Sequence, residues 1–493
     1  MIASSFRFAS RALLAAALMA SSSGLLQAQA VFEQREFSVL IRGEPAGRMT
    51  VEPSRGEDAQ VRTEFSFDDN GRGPRIEEIW RTDASGRPVS YEATGRTTFG
   101  AAISETFRIT SDNRLTWRSR IDRGDEAASN GQLFVPLEPS PAYSAQVALA
   151  LLESPRGRAP LRGGAEASLE VLQRLSIASG TGTIDLQLVS VTGIDAEPWL
   201  IWLRMAPRPS LFASLDGRVQ IIARGSENAV ATLLRVQTLA EDERLKRLQQ
   251  RLAIPIPGTT LISNVRWFDP ASGVVQGPSD IWLFDGIIST ITHPGVARIR
   301  ADHLVDGSGK TLLPGLIDTH AHYAADQGLQ RLASGITTVR DMGGNNETLL
   351  ALKARIEQGE LPGPNLVLAG FLEGRSRFAS RNGFVVDNLP EARRAVDWYR
   401  RNGYDTLKLY NSIRPDWVEP IIRRAKRQGM RVTGHVPAFM RAQEAVMAGF
   451  DELTHINQIL LNFVGKASDD TRSLVRFTRA GEDGRLVDLE SRE

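Results

Sequence analysis

From Val31 to about Ala240, apolar and polar residues alternate in short runs. The segment "EFSVLIRG" sets Phe37, Val39 and Ile41 on one face, and "VRTEFSFDD" does the same with Val61, Thr63, Phe65 and Phe67. Turn formers separate the runs, at Asp69–Gly71, Ser85–Pro88 and Asp112–Asn113, and the theme returns in "TIDLQLVSV", "PWLIWLRM" and "RVQIIAR". A period of two with frequent turns predicts antiparallel strands, arranged as a curved sheet or an open barrel. One helix is expected near Ser144–Ser154, and no chemical constellation stands out in this region.

The run Glu241–Leu252 carries Leu245, Leu248 and Leu252 at helical spacing, and "AIPIPG" after it marks a linker. Short strands with Asp-Gly turns (Asp285–Gly286, Asp306–Gly307) follow from Thr259. Beyond Leu313 the rhythm becomes strand, helix, strand, helix. The strands are "LLPGLID", "GITTVRD", "NLVLAGFLEG", "YDTLKLYN", "MRVTGHVP" and "ELTHIN", and intervening helices end at Gly403, Gly429 and Gly449. Six such units predict a parallel sheet of the (β/α) barrel type. The organisation read from this pattern is a leader over 1–30, a β-rich domain over 31–240 and a helix with linker over 241–258. A small β-sandwich segment over 259–312 and a partial barrel over 313–493 complete it.

Composition narrows the function. The 59 basic and 58 acidic side chains leave a net charge of +1, with no basic stripe to recruit nucleic acid. Arg7 and Arg11, the apolar core Ala12–Ala20 and "AQA" at Ala28–Ala30 have the order of a cleaved export signal. Its apolar core is shorter than the roughly 20 residues of a membrane span, so an exported, periplasmic or secreted protein is expected. The chain has no cysteine, which excludes disulfides and thiolate sites, so any metal must be held by histidine or oxygen donors.

Only six histidines occur, and four lie where predicted barrel strands end: His320, His322, His435 and His455. Alone, His320-x-His322 is a weak signal that marks polar loop residues more often than a metal site. Together, four histidines at the C-terminal ends of strands in one barrel point to a shared ion, since active residues gather at that face. Lys408 alternates with Thr406 and Tyr410 within an apolar strand. An inward lysine carries a desolvation penalty. It either extends to the barrel mouth or is converted by carbon dioxide to a carbamate, an anionic oxygen ligand. Arg340 and Asp341 end the second strand, where Arg340 could face substrate or form a structural ion pair. Tyr410 could donate to an oxyanion or simply pack.

The motifs "LLPGLIDTHAHY", "DTLKLYN", "VTGHVP" and "ELTHIN", in that order, resemble the amidohydrolase superfamily, in particular its imidazolonepropionase-like and prolidase-like members. The resemblance implies a (β/α)8 barrel with two Zn2+ ions, or another divalent metal. His320 and His322 would hold one ion, His435 and His455 the second, and carboxylated Lys408 would bridge them. It also implies hydrolysis of an amide in a small-molecule substrate, such as a dipeptide or a cyclic amide, with a lactone or ester as the alternative. The family's aspartate after strand eight has no counterpart, because Asp469, Asp470 and Asp488 follow no apolar strand. The segment after Leu313 is shorter than the roughly 250 residues of a complete barrel. The expectation is therefore an incomplete barrel of about six strands with impaired activity, or a non-catalytic remnant whose N-terminal domain binds a ligand.

Overall fold

A computed structural model describes residues 35–53, 60–69, 71–180, 182–296, 300–466 and 468–487. The expected leader over 1–30 and Asp488 lie outside these residues. The chain divides into two compact units. One comprises residues up to Ala240 together with Arg472–Gly481, the other Glu241–Thr471 and the residues from Glu482 onward. No helix among the described residues is long and apolar enough to cross a membrane.

The first unit is built on a fourteen-stranded sheet in which every paired neighbour is antiparallel. Strand Arg35–Ile41 is its seam: it pairs with Glu44–Pro53 on one side and with Val219–Ala223 on the other. The alternation sorts side chains by face, so that Val61, Thr63 and Phe65 are buried while Arg62 and Glu64 are exposed. Helix Pro141–Glu153 starts on Ser140, whose side chain accepts from the Tyr143 amide, with proline at the first helical position. Tyr143 packs edge-on against Trp80 and Tyr91 at ring separations of 5.5 and 4.7 Å. A cleft of about 640 Å³ lined by Phe134, Leu137, Arg162, Ile194 and Trp199 opens on this unit.

The second unit carries two sheets. In the smaller, Thr259–Asp269 lies between Val274–Phe284 and the short parallel strand His303–Asp306, and Ile287–Thr292 forms the far edge. The larger is a curled parallel sheet ordered Leu316–Ala321, Ile336–Asp341, Asn365–Gly374, Thr406–Leu409, Arg431–Gly434, with Phe384–Val386 beside the third strand. Helices Gly328–Ala333, Asn346–Glu357, Leu389–Arg401 and Pro415–Arg427 alternate with these strands, and Ala442–Ala448 and Ile456–Val464 follow them. Gly403, Gly429 and Gly449 have φ of +82°, +74° and +107°, the left-handed geometry expected of residues that close helices.

One expected element differs. "ELTHIN" forms no strand; two backbone bonds, Asp451 N–H to Val432 O and Thr454 N–H to Gly434 O, lay it alongside Arg431–Gly434. His455 then turns at φ +66° into helix Ile456–Val464. That turn ends extended pairing before a ladder can form, so the parallel sheet has five main strands rather than six. At its other edge, Leu316 and Ile317 are exposed, at 60% and 63%.

Candidate metal centre

The curled sheet brings the four histidines and Lys408 to one end. Lys408 is fully buried, on a strand whose residues Thr406, Leu407 and Leu409 are buried as well. Its Nζ lies 3.5 Å from His320 Nε2. The His320 ring centroid is 6.0 Å from that of His322 and 4.7 Å from that of His455, and His455 is 4.7 Å from His435. The tyrosine after the lysine strand, Tyr410, packs its ring at a tilt, 4.1 Å from His435 and 4.7 Å from Phe371. The remaining histidines lie elsewhere: His293 is exposed, and His303 Nε2 is 3.1 Å from Pro257 O in the small sheet.

Local backbone explains the positions. His320 and His322 flank Ala321, the last residue of the first strand, and the His320 amide donates to Asp318 Oδ1 at 3.0 Å. His435 directly follows strand Arg431–Gly434, and its amide donates to Leu409 O at 3.0 Å. His455 holds a backbone angle that a branched or bulky side chain adopts only at a cost, which is the kind of strain that accumulates at functional sites.

Electrostatics and hydrogen bonds prepare lone pairs. His320 is held down to about 4, first by burial and then by the nearby Lys408 ammonium, so it is a neutral base near neutral pH. His322 Nδ1 is 2.7 Å from Gly343 O. A carbonyl only accepts, so Nδ1 carries a proton, and in the neutral ring the lone pair is then on Nε2. Asp341 is fully buried beneath this site, its carboxylate accepting from the Tyr323 amide at 2.6 Å and the Gly343 amide at 2.8 Å. Burial raises its pKa, against those two bonds and the nearby His322 and Lys408.

Arg340 is engaged by Glu452 through Nη1 and Nη2 and donates through Nε to Thr319 O. Glu373 is buried and its Oε1 accepts from the Gly374 and Ser412 amides at 2.9 and 2.7 Å, which orders the loop after the lysine strand. Arg375 pairs with Asp387. Glu452, the Gly343 carbonyl and Gln458 gave no sequence signal, since each is defined only by a partner distant along the chain. A cavity of about 200 Å³ nearby is lined by Val436, Met440, Arg441, Gln458 and Asn462 and by none of the four imidazoles.

Among the described residues, no three His, Asp or Glu side chains converge on one point as a finished ion site would require. What the cluster offers is donor chemistry: imidazoles side by side around a buried lysine, with His320 neutral and His322 held by Gly343 O. That set suits a borderline divalent ion better than a hard one.

No protein-family model matches the chain. It is similar to adenine deaminase 2 of Rhizobium johnstonii, 34% identical over 89 residues, covering 17% of this chain and 15% of that protein. It is equally similar, 34% over 89 residues, to urease subunit alpha of Sulfurisphaera tokodaii, covering 16% of each. Among solved structures, a prolidase complexed with N-methylphosphonate-L-proline is 21% identical with a TM-score of 0.35, covering 41% of this chain and 62% of that one. The chain thus spans only a small part of the curated relatives and less than two thirds of the solved one. Both sequence relatives are members of the amidohydrolase superfamily, the family that the four ordered motifs resemble.

Proposed function

We propose that the second unit is an amidohydrolase of the (β/α)8 barrel type that uses two divalent ions, zinc foremost, to hydrolyse an amide bond in a small molecule such as a dipeptide or cyclic amide. The observation that carries the reading is the gathering of His320, His322, His435 and His455 around buried Lys408. His320 and His322 would hold one ion and His435 and His455 the other. Bound divalent ions supply Lewis acidity and a water of lowered pKa.

The chain's own residues prepare that chemistry. His320 presents a neutral ring because burial disfavours its cation, and His322 donates Nδ1–H to Gly343 O, which leaves Nε2 as its nitrogen for an ion. The free amine of buried Lys408 is the form that reacts with carbon dioxide. Its nitrogen bonds to the carbon and releases one proton, leaving an anionic carbamate with two oxygen donors. Tyr410, beside His435, supplies a hydroxyl for the oxyanion that forms when water oxygen adds to the substrate carbonyl. The C–N bond then breaks and the amine leaves with a proton. The leader read over 1–30 supports placing this activity outside the cytoplasm.

The test is a panel of dipeptides, cyclic amides, lactones and esters offered to zinc-loaded protein. Turnover of the amides supports the reading, turnover confined to lactones or esters replaces its substrate class, and turnover of none with two ions bound removes it.

A further inference from the structure

Asn411 and His435 are both buried, exposed to only 3% and 2%, and their side chains meet at 2.7 Å between Oδ1 and Nδ1. An amide oxygen only accepts, so this contact requires the proton on Nδ1 and leaves Nε2 bare. Gln458 Nε2 approaches the same Nδ1 at 3.4 Å. As a donor it would need Nδ1 unprotonated, and it is the longer and weaker partner. Asn411 is itself fixed, its carbonyl accepting from the Ala438 amide at 2.8 Å just beyond the histidine.

We propose that Asn411 is a positioning residue that selects the Nδ1–H tautomer of His435, so that Nε2 is presented to a divalent cation. This rests on the metal-centre reading above. The physical reason is that a ring freed of this partner divides between two tautomers and rotates, and part of its lone-pair density then points into protein. Partners of this kind are worth roughly 10- to 100-fold in metal affinity. Lys408 lies on strand Thr406–Leu409 and Asn411 in the turn just after it, so that turn delivers the amide to His435.

The experiment reads tautomer and affinity separately, on the full chain. Nitrogen chemical shifts of His435 in metal-free protein, labelled at histidine, report which nitrogen carries the proton. Wild type is expected to show Nδ1–H alone. Asn411→Asp keeps an acceptor and should retain it, while Asn411→Leu should give a mixture. Zinc titration should show Asn411→Leu weakened roughly 10- to 100-fold and Asn411→Asp restored towards wild type. An Nε2–H tautomer in wild type overturns the proposal, as does an unchanged tautomer in Asn411→Leu. Unchanged zinc affinity with a lost tautomer overturns it too. If Asn411→Leu does not fold, the wild-type and Asn411→Asp spectra still decide. Wild type with the predicted tautomer but no zinc uptake leaves the positioning intact and removes the metal-centre reading instead.

Discussion

Arg340 and Glu452, 112 positions apart, form a two-pronged ion pair with Nη1 2.8 Å from Oε2 and Nη2 2.7 Å from Oε1. The same guanidinium donates through Nε to Thr319 O at 2.7 Å. Thr319 precedes His320, and Glu452 lies three residues before His455. One side chain therefore ties together the backbones that carry two of the clustered imidazoles. Arg340→Met keeps the aliphatic stem and removes every one of these bonds. A half-buried bidentate pair of this kind is worth about 1 kcal/mol, which corresponds to roughly five-fold faster local opening. Amide exchange over Asp451–Gln458 is expected to accelerate by that factor, and unchanged exchange there would show that the clamp holds nothing.

Gly434 makes a second demand on backbone. It adopts φ +134°, and a Cβ built there would lie 2.1 Å from Leu409 O, the same carbonyl that accepts from the His435 amide. Neither atom is a flexible side-chain end, so the two strands would have to part. Gly434→Ala is expected to cost about 3 kcal/mol from combined strain and overpacking. Chemical denaturation measures it, and a loss below about 1 kcal/mol would mean that the strand pair yields easily.

The legible part of this protein was whatever leaves a periodic or typed mark. Val61, Thr63 and Phe65 announce a strand because a half-buried sheet sorts alternate residues. Gly403, Gly429 and Gly449 announce helix ends because left-handed backbone favours glycine. The histidines stood out by position at strand ends. The turn at His455 left no such mark, since its strand propensity was overridden by the helix that begins one residue later. Glu452 was equally silent, because its value to Arg340 depends on a fold that brings distant residues together. Asn411 could be named as a neighbour of the lysine strand, but its partner His435 is set by register between Thr406–Leu409 and Arg431–Gly434.

Lys408 separates a structural lysine from a reactive one. Replacing a buried ion pair as a whole with apolar side chains is often neutral, but removing one charged member strands the others. Lys408 acts electrostatically on buried Asp341, so Lys408→Met is expected to melt, metal-free, below the wild-type temperature. The same variant should lose most of its zinc, read by elemental analysis after purification. An unchanged metal-free melting temperature would show that Lys408 supports no buried charge, and full zinc retention would exclude the carbamate bridge.

Glu105, in the first unit, is the site of a pH effect. Burial raises its carboxyl from the ordinary 4.5 to about 7, with Asp122 and Glu138 adding to the shift, and the Leu137 amide donating to both oxygens and Arg120 opposing it. Because the folded value lies above the unfolded one, the unfolded chain releases this proton first. The contribution to stability is full below about pH 4.5 and is lost as pH rises towards about 7. Glu78, buried with its pKa also raised by desolvation, slopes the same way and is retained in a Glu105→Gln variant. The informative quantity is therefore the difference between two profiles. Denaturation midpoints across this range should fall more steeply for wild type than for Glu105→Gln, with the gap opening between about pH 4.5 and 7 and constant beyond it. Parallel profiles would mean that Glu105 titrates alike in the folded and unfolded chain, the Leu137 amide offsetting the penalty of its burial.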